Sequence, residues 1–176
     1  MTLPNLITVA RLLSVPLVIV LIGQERWMAA FALFVAAGAS DAVDGFIARR
    51  FDMRSEFGAY LDPLADKALL VSIYVALAVV GVLPGWVAVL VVSRDVMIVG
   101  AVIVSYLLEN PVAIRPLFVS KINTAAQIAF AALVLGSKAF AVEDGALTAA
   151  AMNAVAVLTV ASAGAYLLGW LRHMAG

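Results

Sequence analysis

The chain reads as an all-α integral membrane protein with six transmembrane helices, and three observations predict that class. Hydrophobic residues make up 65% of its 176 positions, with a mean hydropathy of +1.12, well above the roughly 45–50% apolar content of a soluble domain. Charged residues are only 12%, with a formal net charge of zero. Six apolar segments recur along the chain, most reaching or approaching the ~20 residues that cross a bilayer. A single membrane domain over residues 1–176 is expected, with membrane lipids and no nucleic acid as partners.

Each segment is recognisable in turn. Residues 6–22 form the shortest, interrupted by Arg11 and containing Pro16; without a basic start, it reads as a span and not as a signal peptide. Residues 27–49 and 58–80 are apolar apart from a group of carboxylates. Residues 86–108 carry Arg94 and Asp95, for which an internal ion pair is the plain reading. Two prolines in 109–116 mark a break before residues 117–135. The last segment, 147–170, includes the alanine- and valine-rich run 149–163, which reads as small-residue helix-packing sequence.

Basic residues orient the spans. Six crossings put Arg11, Arg49, Arg50, Arg54, Arg115, Lys121 and Arg172 on one side, and only Arg26 and Lys138 on the other, beside Glu25, Glu143 and Asp144. The positive-inside bias assigns both termini, and the connection between spans two and three, to the cytoplasm. The chain shows no Arg- and Ser-rich leader, so a bacterial inner membrane is expected in preference to the mitochondrial one.

Chemistry concentrates in spans two and three. Asp41 and Asp44 are three residues apart, and Asp62 and Asp66 four, so each pair shares a helix face. Ionised carboxylates in lipid are costly, and four together call for a cation, protonation or water. Oxygen donors alone favour Mg²⁺ or Mn²⁺ over zinc or copper. Asp41 lies eight residues before Arg49 and Asp66 eight after Gly58, so both stand about 12 Å from the turn joining the spans. Asp41 is then expected to face Asp66, and Asp44 to face Asp62, which suits two ions about 3.5–4 Å apart. Gly45, Ala48 and Gly58 leave room beside the acids for a flat or phosphorylated ligand. Arg49 offers a forked donor for phosphate. With no cysteine, and with the only histidine, His173, near the C-terminus, thiolate sites are excluded and Ser-His-Asp chemistry is disfavoured.

Residues 41–66 fit DxxDGxxAR-x8-GxxxDxxxD at every fixed position, namely Asp41, Asp44, Gly45, Ala48, Arg49, Gly58, Asp62 and Asp66. This run resembles the signature of the CDP-alcohol phosphatidyltransferase family, and eight specified residues at fixed spacing leave little room for a chance match. The resemblance implies six spans and a homodimer. It implies that Asp41, Asp44, Asp62 and Asp66 hold the metals and that Asp66 is also the catalytic base. Asp44, Gly45, Ala48, Arg49 and Gly58 would form the CDP site. The implied reaction moves a phosphatidyl group from CDP-diacylglycerol to an alcohol and releases CMP.

Further segments resemble the CMP-forming cardiolipin synthases of that family: 62–77, 93–102, 115–127 and 161–166. The implied acceptor is phosphatidylglycerol. The alternative is glycerol 3-phosphate, as in the phosphatidylglycerophosphate synthases, which tend to carry Arg-Glu where Arg94 and Asp95 stand and a basic residue at Asn123. Arg115 and Lys121 are the candidates for the acceptor phosphate. Polar stripes run along Asn5, Thr8 and Arg11, and along Ser120, Lys121, Thr124 and Gln127; interhelical hydrogen bonding explains them equally well. An intramembrane cation transporter is the rival from another class, although the acids lie near one surface and no inverted repeat is evident.

Overall fold

A computed structural model describes residues 3–51, 56–107, 117–142 and 145–175; within these, the side chains of residues 3–9, 41–51, 56–64, 66, 102 and 175 are outside the description. The described residues form six α-helices and no strand: α1 (Leu3–Gly23), α2 (Trp27–Phe51), α3 (Glu56–Val79), α4 (Gly85–Leu107), α5 (Phe118–Phe140) and α6 (Gly145–Ala175). Every expected segment corresponds to one helix. The expected break over residues 109–116 lies outside the described residues.

Among the described residues, α4, α5 and residues 145–174 of α6 are long and apolar enough to cross a membrane; Ala10–Gly23, Trp27–Ser40 and Lys67–Val79 are shorter apolar helices. Large apolar side chains stand exposed along the helices, among them Leu13, Val79, Val89, Tyr106 and Phe118. Such surfaces suit lipid, whose tails are as apolar as the side chains.

α1 departs from expectation. It runs unbroken for 21 residues through both Arg11 and Pro16. Arg11 does not interrupt it, because Arg11, Ser14, Val18 and Ile22 are all buried and repeat at helical spacing, forming one inward stripe.

Helix ends follow from local hydrogen bonding. After α1, Arg26 N donates to Leu21 O and Glu25 N to Ile22 O, with Glu25 at φ 56°. After α3, Val82 N donates to Leu77 O and Gly81 N to Ala78 O, with Gly81 at φ 77°. Both are Schellman closures, which satisfy orphan carbonyls by placing one residue in the left-handed region. Glycine occupies that position without strain at the second turn, whereas Glu25 does so at a steric cost.

The chain divides into two compact units. The first comprises residues 1–83 and 131–144, the second residues 84–130 and 145–176. In the first, α1 packs against both α2 and α3, around Val18, Ile22, Ala30, Leu69, Ile73, Tyr74 and Leu77. Phe31 meets Phe140 edge to face, with ring centroids 5.7 Å apart. Gly136 keeps that region close, since a Cβ there would touch the Phe31 ring at 3.4 Å. In the second unit α4 packs against α6, with Val87, Val91, Phe130 and Val155 buried.

Candidate functional site

The residues expected to carry chemistry fall on two helices of the first unit. Asp41, Asp44, Gly45, Ala48 and Arg49 belong to α2, and Gly58, Asp62 and Asp66 to α3. Their side chains lie outside the described residues, Asp66 included. What the helices supply is depth. Asp41 follows the start of α2 by 14 residues and Asp66 precedes the end of α3 by 13, rises of about 21 and about 20 Å. Asp44 and Asp62 each stand 17 residues from those same ends, at about 26 Å.

Those ends are level with one another. The short turn after Gly23 leads directly into Trp27. A groove of about 260 Å³ is lined by Ile19 and Gly23 of α1 together with Val75, Ala76 and Val79 of α3. The end of α1 therefore serves as a common reference for α2 and α3. The donor set, carboxylate only, has the chemistry of a hard divalent ion. Among residues whose side chains are described, no group of three or more histidines or acids could hold a metal.

α1 brings a cation to this region that the spacing of the acids did not reveal. Arg11 is 4% exposed and lies on the inward stripe of the helix that packs against both acid-bearing helices. The Ser14 hydroxyl donates to the Arg11 carbonyl at 2.6 Å. Asn5 and Thr8, the other members of the expected stripe, have side chains outside the description.

The second unit contains a buried polar network centred on Arg94, which is 3% exposed. Nη1 pairs with the Asp95 carboxylate at 2.5 Å, the ion pair expected from the sequence. Nε and Nη2 both donate to the Ser162 hydroxyl of α6, at 3.3 and 2.8 Å. Nη2 also donates to the Ser120 hydroxyl of α5. The guanidinium lies 5.7 Å from the centre of the Tyr166 ring, within cation–π range. One side chain of α4 thus holds two other helices.

A second chain of hydrogen bonds lies beside it. Thr159 Oγ1 donates to Asn123 Oδ1 at 2.9 Å and accepts from Gln127 Nε2 at 3.3 Å. All three side chains are buried, and Asn123 Nδ2 has no hydrogen-bond partner among the described residues. Trp170 Nε1 donates to Ser105 Oγ at 2.7 Å, joining α6 to α4.

These contacts revise two expectations. Lys121 does not share a face with the buried Gln127 of the expected stripe; it is exposed, because it lies on another face of α5. Thr124 bonds back to the Ser120 carbonyl of its own helix. The run 149–163 is more than packing sequence, since Thr159 and Ser162 supply hydroxyls to α5 and α4. Their signal was the 159, 162, 166 spacing of polar residues along one face. Arg115, the other acceptor candidate, lies outside the described residues.

The described residues are all helical, and three of the helices are long and apolar enough to cross a membrane, which places the chain in the class of helical membrane proteins. The sequence profile of the CDP-alcohol phosphatidyltransferase family matches residues 1–163. The chain belongs to that family. It is 34% identical to a CMP-forming cardiolipin synthase of Rattus norvegicus, over 94% of this chain and 60% of the relative. It is 35% identical to a chloroplastic CDP-diacylglycerol–glycerol-3-phosphate 3-phosphatidyltransferase of Oryza sativa, over 82% of this chain and 49% of that protein. The corresponding enzyme of Bacillus subtilis is 33% identical, over 78% of this chain and 79% of its own length. The chain thus spans about half to three-fifths of the rat and rice proteins. Relatives from eukaryotes and bacteria alike give no support to the expected bacterial inner membrane.

Proposed function

We propose that this protein transfers the phosphatidyl group of CDP-diacylglycerol to phosphatidylglycerol, forming cardiolipin and CMP. The observation that carries the reading is the complete acidic signature, Asp41 to Asp66, in a chain that belongs to the phosphatidyltransferase family. Membership in a transferase family also decides against the cation-transporter alternative.

In this reading Asp41, Asp44, Asp62 and Asp66 would hold Mg²⁺ or Mn²⁺, with two ions matching the number of acids. The ions would supply charge neutralisation at the diphosphate. Gly45, Ala48 and Gly58 shape the nucleotide pocket, and Asp44 and Arg49 bind CDP. Asp66 removes the proton from a primary hydroxyl of phosphatidylglycerol. The resulting oxygen bonds to the β-phosphorus, and the bond from that phosphorus to the CMP phosphate breaks. Phosphoryl transfer asks side chains mainly for positioning and charge, which this constellation offers.

The whole chain acts as one transferase domain, assembled as a homodimer, with both termini and the site at the cytoplasmic face. Arg115 and Lys121 hold the acceptor headgroup; the exposure of Lys121 leaves it accessible for that role. The neutral Asn123 favours phosphatidylglycerol over the more anionic glycerol 3-phosphate. Glycerol 3-phosphate is the second reading, favoured by the rice and Bacillus relatives, whose names specify that acceptor.

The two are separated by supplying purified protein with CDP-diacylglycerol, Mg²⁺ or Mn²⁺, and each acceptor alone. Cardiolipin from phosphatidylglycerol alone is the expected product. Turnover only with glycerol 3-phosphate would reverse the assignment.

A further inference from the structure

We propose that the groove between α1 and α3 is an acyl-chain site, and that its occupant is one fatty-acyl chain of the cytidine diphosphate lipid donor. The assignment rests on the donor chemistry proposed above. The groove, of about 260 Å³, is walled by Ile19 and Gly23 of α1 and by Val71, Ser72, Val75 and Val79 of α3. Val71, Val75 and Val79 are four residues apart and form one stripe along their helix. Val75 and Val79 are 42% and 80% exposed, so the groove opens sideways, and a lipid chain can enter it from the bilayer without crossing water.

Depth selects the occupant. α3 runs unbroken from Glu56 to Val79 and carries both Asp66 and the groove wall. Val71 follows Asp66 by 5 residues and Val79 by 13, rises of about 8 and about 20 Å. A hydrocarbon core about 30 Å thick gives each lipid chain about 15 Å. The chain of a donor reacting at the level of Asp66 therefore enters the groove near Val71 and ends beyond Val75. Ser72 contributes a hydroxyl at the near end, where the polar ester of that chain would lie, and the far end is apolar.

Location selects the donor over the acceptor. The groove and both signature helices belong to the first compact unit, whereas Lys121, the acceptor candidate on α5, belongs to the second. Gly23 keeps the far end open. A Cβ there would meet no atom within 4 Å, so a larger residue can be placed in the groove without displacing its walls.

The test compares purified full-length wild type and Gly23→Leu, with Mg²⁺ and phosphatidylglycerol, on dioleoyl and dioctanoyl CDP-diacylglycerol. Eight-carbon chains are about half as long and stop near the groove entrance, about 8 Å along. Taking variant over wild type for each donor cancels detergent partitioning. Gly23→Leu is expected to lower kcat/KM about 10-fold for the dioleoyl donor, the loss when roughly two methylene groups leave an apolar site, and less than about twofold for the dioctanoyl donor. Val79→Phe, filling the groove from α3, should give the same pattern and carries the comparison if Gly23→Leu does not fold. A photoreactive group at the end of a donor chain should crosslink to peptides holding residues 19–23 or 75–79, a readout that needs no turnover. Equal losses for both donors, no loss for either, or crosslinks confined to other peptides would overturn the proposal. So would a length dependence that follows the chains of phosphatidylglycerol and not those of the donor, or a change of oligomeric state in the variants, which would make the groove a contact between copies. Wild-type protein that turns over neither donor would sink the donor reading itself.

Discussion

Arg94 and Ser162 stand 68 positions apart, yet two guanidinium nitrogens converge on that one hydroxyl, at 3.3 and 2.8 Å. With Asp95 and Ser120 engaged as well, the guanidinium ties α4 to α5 and α6 inside the second compact unit. A buried cation so fully occupied acts as a fastener between helices.

Removing it should therefore unfold that unit at lower temperature. Arg94→Leu is expected to cost about 3–5 kcal/mol, the range for breaking a buried ion pair from one side. Ser162→Ala removes an acceptor from a charged donor and should cost about 1.5–3 kcal/mol. Thermal unfolding in detergent, followed by circular dichroism, measures both. An Arg94→Leu midpoint matching wild type would contradict this role.

The turns after α1 and α3 make an opposed pair of predictions. Gly81, at φ 77°, has open space around a would-be Cβ, so Gly81→Ala is destabilising through the backbone alone, by about 1 kcal/mol. Glu25 occupies the equivalent position with a side chain, so Glu25→Gly should stabilise by a similar amount, about 1 kcal/mol at most. Unfolding midpoints moving in opposite directions would support the assignment; movement of both the same way would refute it.

The proposed chemistry depends on Asp66 and on divalent ions. Asp66→Asn keeps the shape but removes the base, so turnover should fall at least about 100-fold, at the low end of the range for general-base catalysis. The variant's unfolding midpoint should stay near wild type. Chelation should abolish wild-type CMP release, and added Mg²⁺ or Mn²⁺ should restore it. Near-normal release from Asp66→Asn would remove its assigned role.

Much of this architecture was legible in the linear chain. The six helices match the apolar segments to within a few residues, except for the C-terminal ends of α5 and α6, which extend five residues beyond expectation. Small and polar residues such as Gly136, Ser137 and Lys138 ended the apolar run of α5 early on hydropathy, whereas helical hydrogen bonding continues through them to Phe140. Ser137 even bonds back to the Leu133 carbonyl of its own helix. The Arg94–Asp95 pair was also readable, because its members are neighbours in sequence. The separation of Lys121 from Gln127 was not, since polar residues close in sequence suggest a shared face that the helix does not provide.

By itself the amino-acid order determined the helical class, the approximate spans and the spacing of the four aspartates. All of these depend on a helix's own rise and period, which act locally. Only the tertiary structure decided that Arg11 turns inward with Ser14 and Val18, that Thr159 serves Asn123 and Gln127, and that Ser162 meets Arg94. Those outcomes depend on which helices pack together and at what register. Packing joins residues 32 to 68 positions apart, and no local period encodes such a contact.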